Sequence, residues 1–272
     1  MKKTIKQLQN SKQPLVCLTA YTAPMATHLD EHCDMILVGD SVSMVLYGED
    51  STQKADMAMM IRHGRAVAKA AQNALVIIDM PYGSYEHDPI DALKNAQTLM
   101  DETGGDCIKL EGGKAQAETI SYLVQNDIPV VGHIGLLPQS VNDVSGYKVQ
   151  GREQAAAQAL MEDAYAVEEA GAFSVVIEAV PEPLAAAITA AVAIPTIGIG
   201  ASNACDGQIL VTEDMLGLSL GKPPKFVKQY VTIGDTIKKS VEQYAKEVRV
   251  RDFPTKENTY KDKKPNELKK VS

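Results

Sequence analysis

The 272-residue chain predicts an α/β protein, a single (β/α)8 TIM barrel with a C-terminal helical extension. Three observations predict it. Short β-rich runs recur at a spacing near the roughly 30 residues of one barrel unit. Each run is apolar throughout instead of alternating, as parallel strands require when helices cover them outside and a core fills the inside. Ala-rich stretches with helical periodicity separate the runs. With 45% hydrophobic residues the chain can bury one core of this size, and a barrel of about 250 residues is one domain.

In chain order the strands are expected over residues 15–20, 35–39, 75–78, 107–110, 129–132, 174–177 and 195–199, with a weaker eighth near 214–218. Helices are expected over 56–71, 88–102, 115–125 and 154–169. Two segments, ETGGDCIKLE and EEAGAFSVVIE, repeat one piece of grammar. Gly104 and Gly171 each stop a helix, the chain turns into a strand, and seven residues later Glu111 and Glu178 close it. Units built alike should deliver both carboxylates to the same end. Residues 230–248 are amphipathic and predict a terminal helix, so the barrel domain spans 1–250. The tail 251–272 mixes Lys, Asp and Glu with two prolines and almost no apolar residues. It cannot bury enough surface to offset its ordering entropy and is expected to be mobile.

Charge and cysteine usage narrow the function. A net charge of −8 and a pI near 5.2 offer no basic field for a nucleic acid. The first apolar run, 15–20, is shorter than the core of a signal peptide, about 7–15 residues, or a membrane helix, about 20. A cytoplasmic protein without a membrane partner is expected. Cys17, Cys33, Cys107 and Cys205 are separated by 16, 74 and 98 residues and form no C-x-x-C, so they read as buried free thiols.

The chemistry lies where strands end. MILVGD closes on Asp40, VIID on Asp79, CIKLE on Glu111 and SVVIE on Glu178. A carboxylate ending an apolar strand is costly unless it meets a cation, a donor or water. In a barrel, strand C-termini share one rim, and that rim carries the active site. Four acids there repel one another and need compensation. A hard divalent ion supplies it, Mg2+ first, because the cluster offers carboxylate oxygens and no thiolate. Lys109 helps, two residues before Glu111 on the same strand face. His133, in PVVGHIG, sits at the same level on the fifth strand and is expected to contact substrate or the acids.

Several motifs in order carry a family resemblance: GDS around Asp40 and Ser41, the DSTQ turn at 50–53, DMPYGSY at 79–85, KLEGG at 109–113, GHIGLLPQS at 132–140, GYKVQGR at 146–152 and GIGAS…DGQ at 198–208. Over residues 3–248 the chain resembles the ketopantoate hydroxymethyltransferases, with Leu137 and Ser202 departing from their usual pattern. The resemblance implies a barrel that uses Mg2+ and 5,10-methylenetetrahydrofolate to hydroxymethylate the small 2-oxo acid 3-methyl-2-oxobutanoate, giving 2-dehydropantoate in pantothenate biosynthesis. It implies that Asp40, Asp79 and Glu111 hold the metal, that Asp40, Ser41, Asp79 and Lys109 contact the 2-oxo acid, and that Glu178 accepts the proton. It also implies a homo-oligomer, a homodecamer. Chemistry agrees with this scheme: a 2-oxo acid chelating Mg2+ loses its C3 proton to Glu178, and the enolate attacks the one-carbon group of the folate.

Rival patterns are weaker. His28 to His32 match H-x-x-E-H, a zinc-protease pattern, but fall on the first barrel helix. Gly198 and Gly200 lack the third glycine of a dinucleotide fingerprint, and GLSLGKP lacks P-loop spacing. A Schiff-base aldolase on Lys109 is disfavoured because nearby acids keep the amine protonated. Another metal-dependent 2-oxo acid lyase or mutase on the same barrel remains the main alternative, and a non-catalytic metabolite-binding barrel is the third.

Overall fold

A computed structural model describes residues 2–141 and 147–261. Eight parallel strands close into one barrel in sequence order: β1 (Leu15–Thr19), β2 (Met35–Val38), β3 (Leu75–Asp79), β4 (Cys107–Lys109), β5 (Val130–Gly135), β6 (Ser174–Glu178), β7 (Thr196–Ile199) and β8 (Gly207–Leu210). The helices are α1 (Ile5–Gln9), α2 (Ala23–Leu29), α3 (Val42–Tyr47), α4 (Met57–Ala70), α5 (Pro89–Thr103), α6 (Ala117–Gln125), α7 (Gln154–Glu169), α8 (Glu182–Ala191), α9 (Thr212–Met215) and α10 (Ile233–Val250). The predicted α/β barrel with a terminal helix is the observed fold. Gly104 and Gly171 end their helices at φ 73° and 92°, a left-handed turn that glycine adopts without a Cβ penalty.

The eighth strand is displaced from its predicted place. Residues 214–218 do not form it; α9 and a turn occupy that stretch, and β8 lies earlier, pairing with β1 and β7. The physical reason is that Gly207–Leu210 is four residues long with an exposed Gln208, so it carries no apolar run to announce it. The fifth strand also runs three residues past its predicted end, through His133. The H-x-x-E-H segment is not a two-histidine helical face, because α2 ends at Leu29 before His32 is reached.

Alternation along the strands divides the core in two. Leu15 and Cys17, Met35 and Leu37, Leu75 and Ile77, and Cys107, Val131, Val176 and Ile197 fill the barrel interior. Ile36 and Val38, Val76 and Ile78, and Ile108, Val130, Val175 and Ile177 pack outward under the helices. All four cysteines are buried and free. No helix joins β7 to β8, and on the outer wall Val16 of β1 is 47% exposed. Helix α10 has no buried residue. Among the described residues no helix is long and apolar enough to cross a membrane. Of the predicted tail, residues 262–272 lie outside the described residues, as does Gly146 of the GYKVQGR motif.

Candidate active site

Following the inward row of each strand toward its C-terminal end leads from hydrocarbon to charge. Above Leu75 and Ile77 comes Asp79; above Cys107 come Lys109 and then Glu111; above Val131 comes His133; above Val176 comes Glu178. A period of two therefore aims these side chains at the top of the barrel interior. Asp40 arrives from the loop after β2, and its backbone N–H donates to Asp79 Oδ2 at 3.1 Å. Asp40, Asp79, Lys109, Glu111 and His133 are all buried, and Glu178 is partly exposed. The predicted site residues are brought together.

Their contacts form two linked groups. Lys109 Nζ stands 2.9 Å from Asp79 Oδ1, a buried ion pair. His133 lies between two glutamates, with Nδ1 3.5 Å from Glu111 Oε1 and Nε2 3.2 Å from Glu178 Oε2. Lys109 Nζ is also 3.4 Å from His133 Nδ1, which becomes a contact of like charges when the ring is protonated. Ser41 bonds Tyr21 through their hydroxyls at 2.9 Å, beside the acids.

The electrostatics divide the acids. Burial, then the charges of Asp79 and Glu111, pushes Asp40 well above the carboxylate range, against the pull of Lys109 and the Gln139 amide. Burial likewise raises Asp79 despite Lys109 and the Asp40 N–H. Glu111 goes the other way: burial opposes its charge, but His133, Lys109 and the Gln139 N–H outweigh it and hold it low. Burial and Lys109 oppose charging His133, yet Glu111 and Glu178 prevail and push it up to about 9. Lys109 is held in its charged form, since Asp79, Glu111 and Asp40 outweigh its burial. That is unfavourable for Schiff-base chemistry. Two buried acids that resist ionisation mark a place where positive charge is still wanted.

A divalent cation fits the donor set. Asp40 Oδ2 takes a bond from Gln139 Nε2, Asp79 Oδ2 from Asp40 N, and Glu111 Oε2 from Gln139 N. Each carboxylate thus has one oxygen fixed by an amide donor, while the second oxygens of Asp79 and Glu111 face the side chains of Lys109 and His133, contacts that a bound cation would share. Among the described residues no three Asp, Glu, His or Cys side chains form a ready-made metal cage. The expected trio Asp40, Asp79 and Glu111 therefore converges without closing around an ion by itself. Such an open oxygen set suits Mg2+, which keeps water or substrate oxygens in its shell.

Three residues near the acids carried no role in the sequence reading. Gln139 and Tyr85 are buried among the acids, joined by a 2.6 Å bond from Tyr85 Oη to Gln139 Oε1. Tyr147, whose hydroxyl is raised by burial and by the charges of Asp40, Glu178 and Glu111, donates to Met44 Sδ at 3.7 Å. All three lie inside quoted motifs, but a lone polar residue in a loop has no period to reveal what it faces.

Comparison with known proteins gives the family and supports the fold. The sequence profile of the family described as ketopantoate hydroxymethyltransferase matches residues 2–256. A 3-methyl-2-oxobutanoate hydroxymethyltransferase of Ruegeria sp. (strain TM1040) is 56% identical over 254 residues, 93% of this chain and 90% of the relative. One of Rhizobium rhizogenes is 50% identical over 263 residues, 96% of each. Among solved structures, a phosphonopyruvate hydrolase shares the fold with a TM-score of 0.62 at 13% identity, covering 96% of this chain and 92% of that one. A 2,3-dimethylmalate lyase of the PEP mutase/isocitrate lyase superfamily does so with a TM-score of 0.58 at 14% identity, covering 96% and 90%. With a cluster of buried acids at the mouth of a closed parallel barrel and a family match along nearly its whole length, the chain belongs to the ketopantoate hydroxymethyltransferase family and is a transferase.

Proposed function

We propose that the protein transfers a hydroxymethyl group from 5,10-methylenetetrahydrofolate to 3-methyl-2-oxobutanoate, giving 2-dehydropantoate for pantothenate biosynthesis. The observation that carries this is the pairing of an acid cluster short of positive charge with a separate, partly exposed carboxylate, Glu178, on the same rim. Asp40, Asp79 and Glu111 would hold Mg2+. When bound, the ion supplies the charge that lets a 2-oxo acid lose a proton beside its carbonyl.

The chain's own residues do the rest. Lys109, kept charged by Asp79, lends a fixed positive charge to the substrate's acid end, next to Ser41. Glu178 accepts the C3 proton. His133, 3.2 Å from Glu178 Oε2, orients that carboxylate toward the substrate. The apolar barrel interior below the acids excludes water from that side. Water breaks the one-carbon unit from the folate nitrogens at the formaldehyde level, leaving tetrahydrofolate, and the carbanion adds to that carbon to form the hydroxymethyl group.

The proposed working form is a homo-oligomer in the cytoplasm, of the decameric size the family resemblance implies. Ile237, Val241, Tyr244 and Val248 are exposed at helical spacing on α10, an apolar seam suited to a second copy of the chain. Sedimentation would check it, with a decamer expected and a monomer at micromolar concentration contradicting it. The function itself is tested by incubating the protein with the keto acid, the folate and Mg2+. Formation of 2-dehydropantoate that stops with chelator and returns with Mg2+ is expected. Folate-independent cleavage or mutation of the 2-oxo acid would favour the lyase or mutase alternative.

A further inference from the structure

Gln139 lies in the 3-10 turn Pro138–Ser140 after β5 and is 2% exposed. Each polar group it owns has a partner, and the partners come from three other strand-end loops. Its Nε2 donates to Asp40 Oδ2 at 2.8 Å and to the Met80 carbonyl at 3.0 Å. Its Oε1 accepts from Tyr85 Oη at 2.6 Å. Its backbone N–H donates to Glu111 Oε2 at 3.0 Å, and its carbonyl accepts from Gln53 Nε2 at 2.7 Å. The amide can point only one way. The Met80 carbonyl can only accept, so the NH2 faces it and Asp40, and the Tyr85 hydroxyl locks the opposite end while itself accepting from Glu111 N at 3.2 Å.

One residue thus grips two of the acids at once, Asp40 through its side chain and Glu111 through its backbone. A lysine in this position would orient Asp40 equally well, but it would also neutralise it and compete with a cation. A neutral amide fixes the carboxylate and leaves the negative charge of the site in place. We propose that Gln139 is a positioning residue that sets the orientation of Asp40 and Glu111, and through them the affinity for the divalent cation, without itself touching cation or substrate. The inference rests on the cation-binding part of the function proposed above.

The test is direct binding of Mg2+ by calorimetry, and of Mn2+ by electron paramagnetic resonance, to the full chain without substrates. Gln139→Met keeps the side-chain length and the backbone N–H while removing the amide. It is expected to weaken Mg2+ binding about 10- to 100-fold, as loss of an outer-shell partner does. Tyr85→Phe frees the amide end but keeps its donors, and is expected to weaken binding less, in the same direction. A purely structural role predicts a lowered melting midpoint with cation affinity unchanged. A folded Gln139→Met protein that binds Mg2+ within twofold of the unaltered chain overturns the inference. If Gln139→Met does not fold, Tyr85→Phe decides, and an unaltered affinity there overturns it. If the unaltered chain binds no divalent cation, the functional reading falls together with the inference; if it binds and the variants bind equally, only the inference falls.

Discussion

The two ends of the barrel both carry acids, and they treat them differently. At the N-terminal end an aspartate stands immediately before each of three strands and accepts from the backbone of the preceding strand. Asp34 takes the N–H of Val16 at 2.8 Å, Asp106 that of Val76 at 2.7 Å, and Asp206 that of Thr196 at 2.9 Å. Lys3 and Lys2 pair the first two from outside. Asp30 accepts from the N–H groups of Asn73 and Ala74 and from the Asn73 side chain. At the C-terminal end Asp40, Asp79 and Glu111 crowd one another around a single Lys109. Acids at the first end are satisfied one by one and hold strands in register. Asp40 and Asp79 at the second are left short of positive charge, the condition expected of a site that awaits a ligand.

Substitutions at the two ends should separate activity from stability. The largest effect is expected from Glu178→Gln, with turnover falling about 10²–10⁴-fold and the melting midpoint unmoved, measured by product formation beside a thermal melt. A destabilised but active variant would place Glu178 with the structural acids. Asp40→Asn follows, with turnover down about 10²–10³-fold. Its stability should move the other way. Because the native pKa of Asp40 is raised, its ionised form opposes folding and native stability falls as pH rises from the ordinary carboxylate range toward that raised value. A neutral Asn removes that penalty, so the metal-free variant should melt no lower than the unaltered chain at pH 7.

At the opposite end, Asp30→Asn should leave turnover intact and lower stability by about 1.5–3 kcal/mol at pH 7, measured by urea unfolding. Burial raises the Asp30 carboxyl, but the N–H donors of Ala74, Asn73 and Gln72 outweigh it, so its native pKa is lowered from 3.8. Its contribution is therefore complete above the ordinary carboxylate pKa and is lost as pH falls through the lowered native value. The gap between variant and unaltered chain should close over that acid range. A gap that widened with acid would contradict the assignment. The smallest effect is expected from Lys2→Ala. Its pair with Asp106 is near the surface, and its loss should cost about 0.2–1 kcal/mol.

The acids of the proposed site were legible because each closes an apolar strand. Once MILV, VIID, CIK and SVVIE are recognised as parallel strands, period two and a shared rim place Asp40, Asp79, Lys109, Glu111 and Glu178 together. The eighth strand was not legible, since GQIL has a glycine, an exposed glutamine and no apolar run, while the apolar stretch at 214–218 folds as a helix end. The structural aspartates were hidden in plain helix-to-strand turns, where only the neighbouring strand's N–H shows what they hold. Gln139 and Tyr85 escaped for a related reason: their importance lies in partners from other loops, which no local pattern records.

In the proposed function the acid-rich mouth removes a proton from a small keto acid. Exchange of the C3 proton of 3-methyl-2-oxobutanoate in heavy water, followed by proton magnetic resonance with Mg2+ and no folate, tests it most directly. The unaltered chain should exchange that proton and Glu178→Gln should not. Equal exchange by both, or none by either under conditions where product forms with folate, would contradict the role given to Glu178.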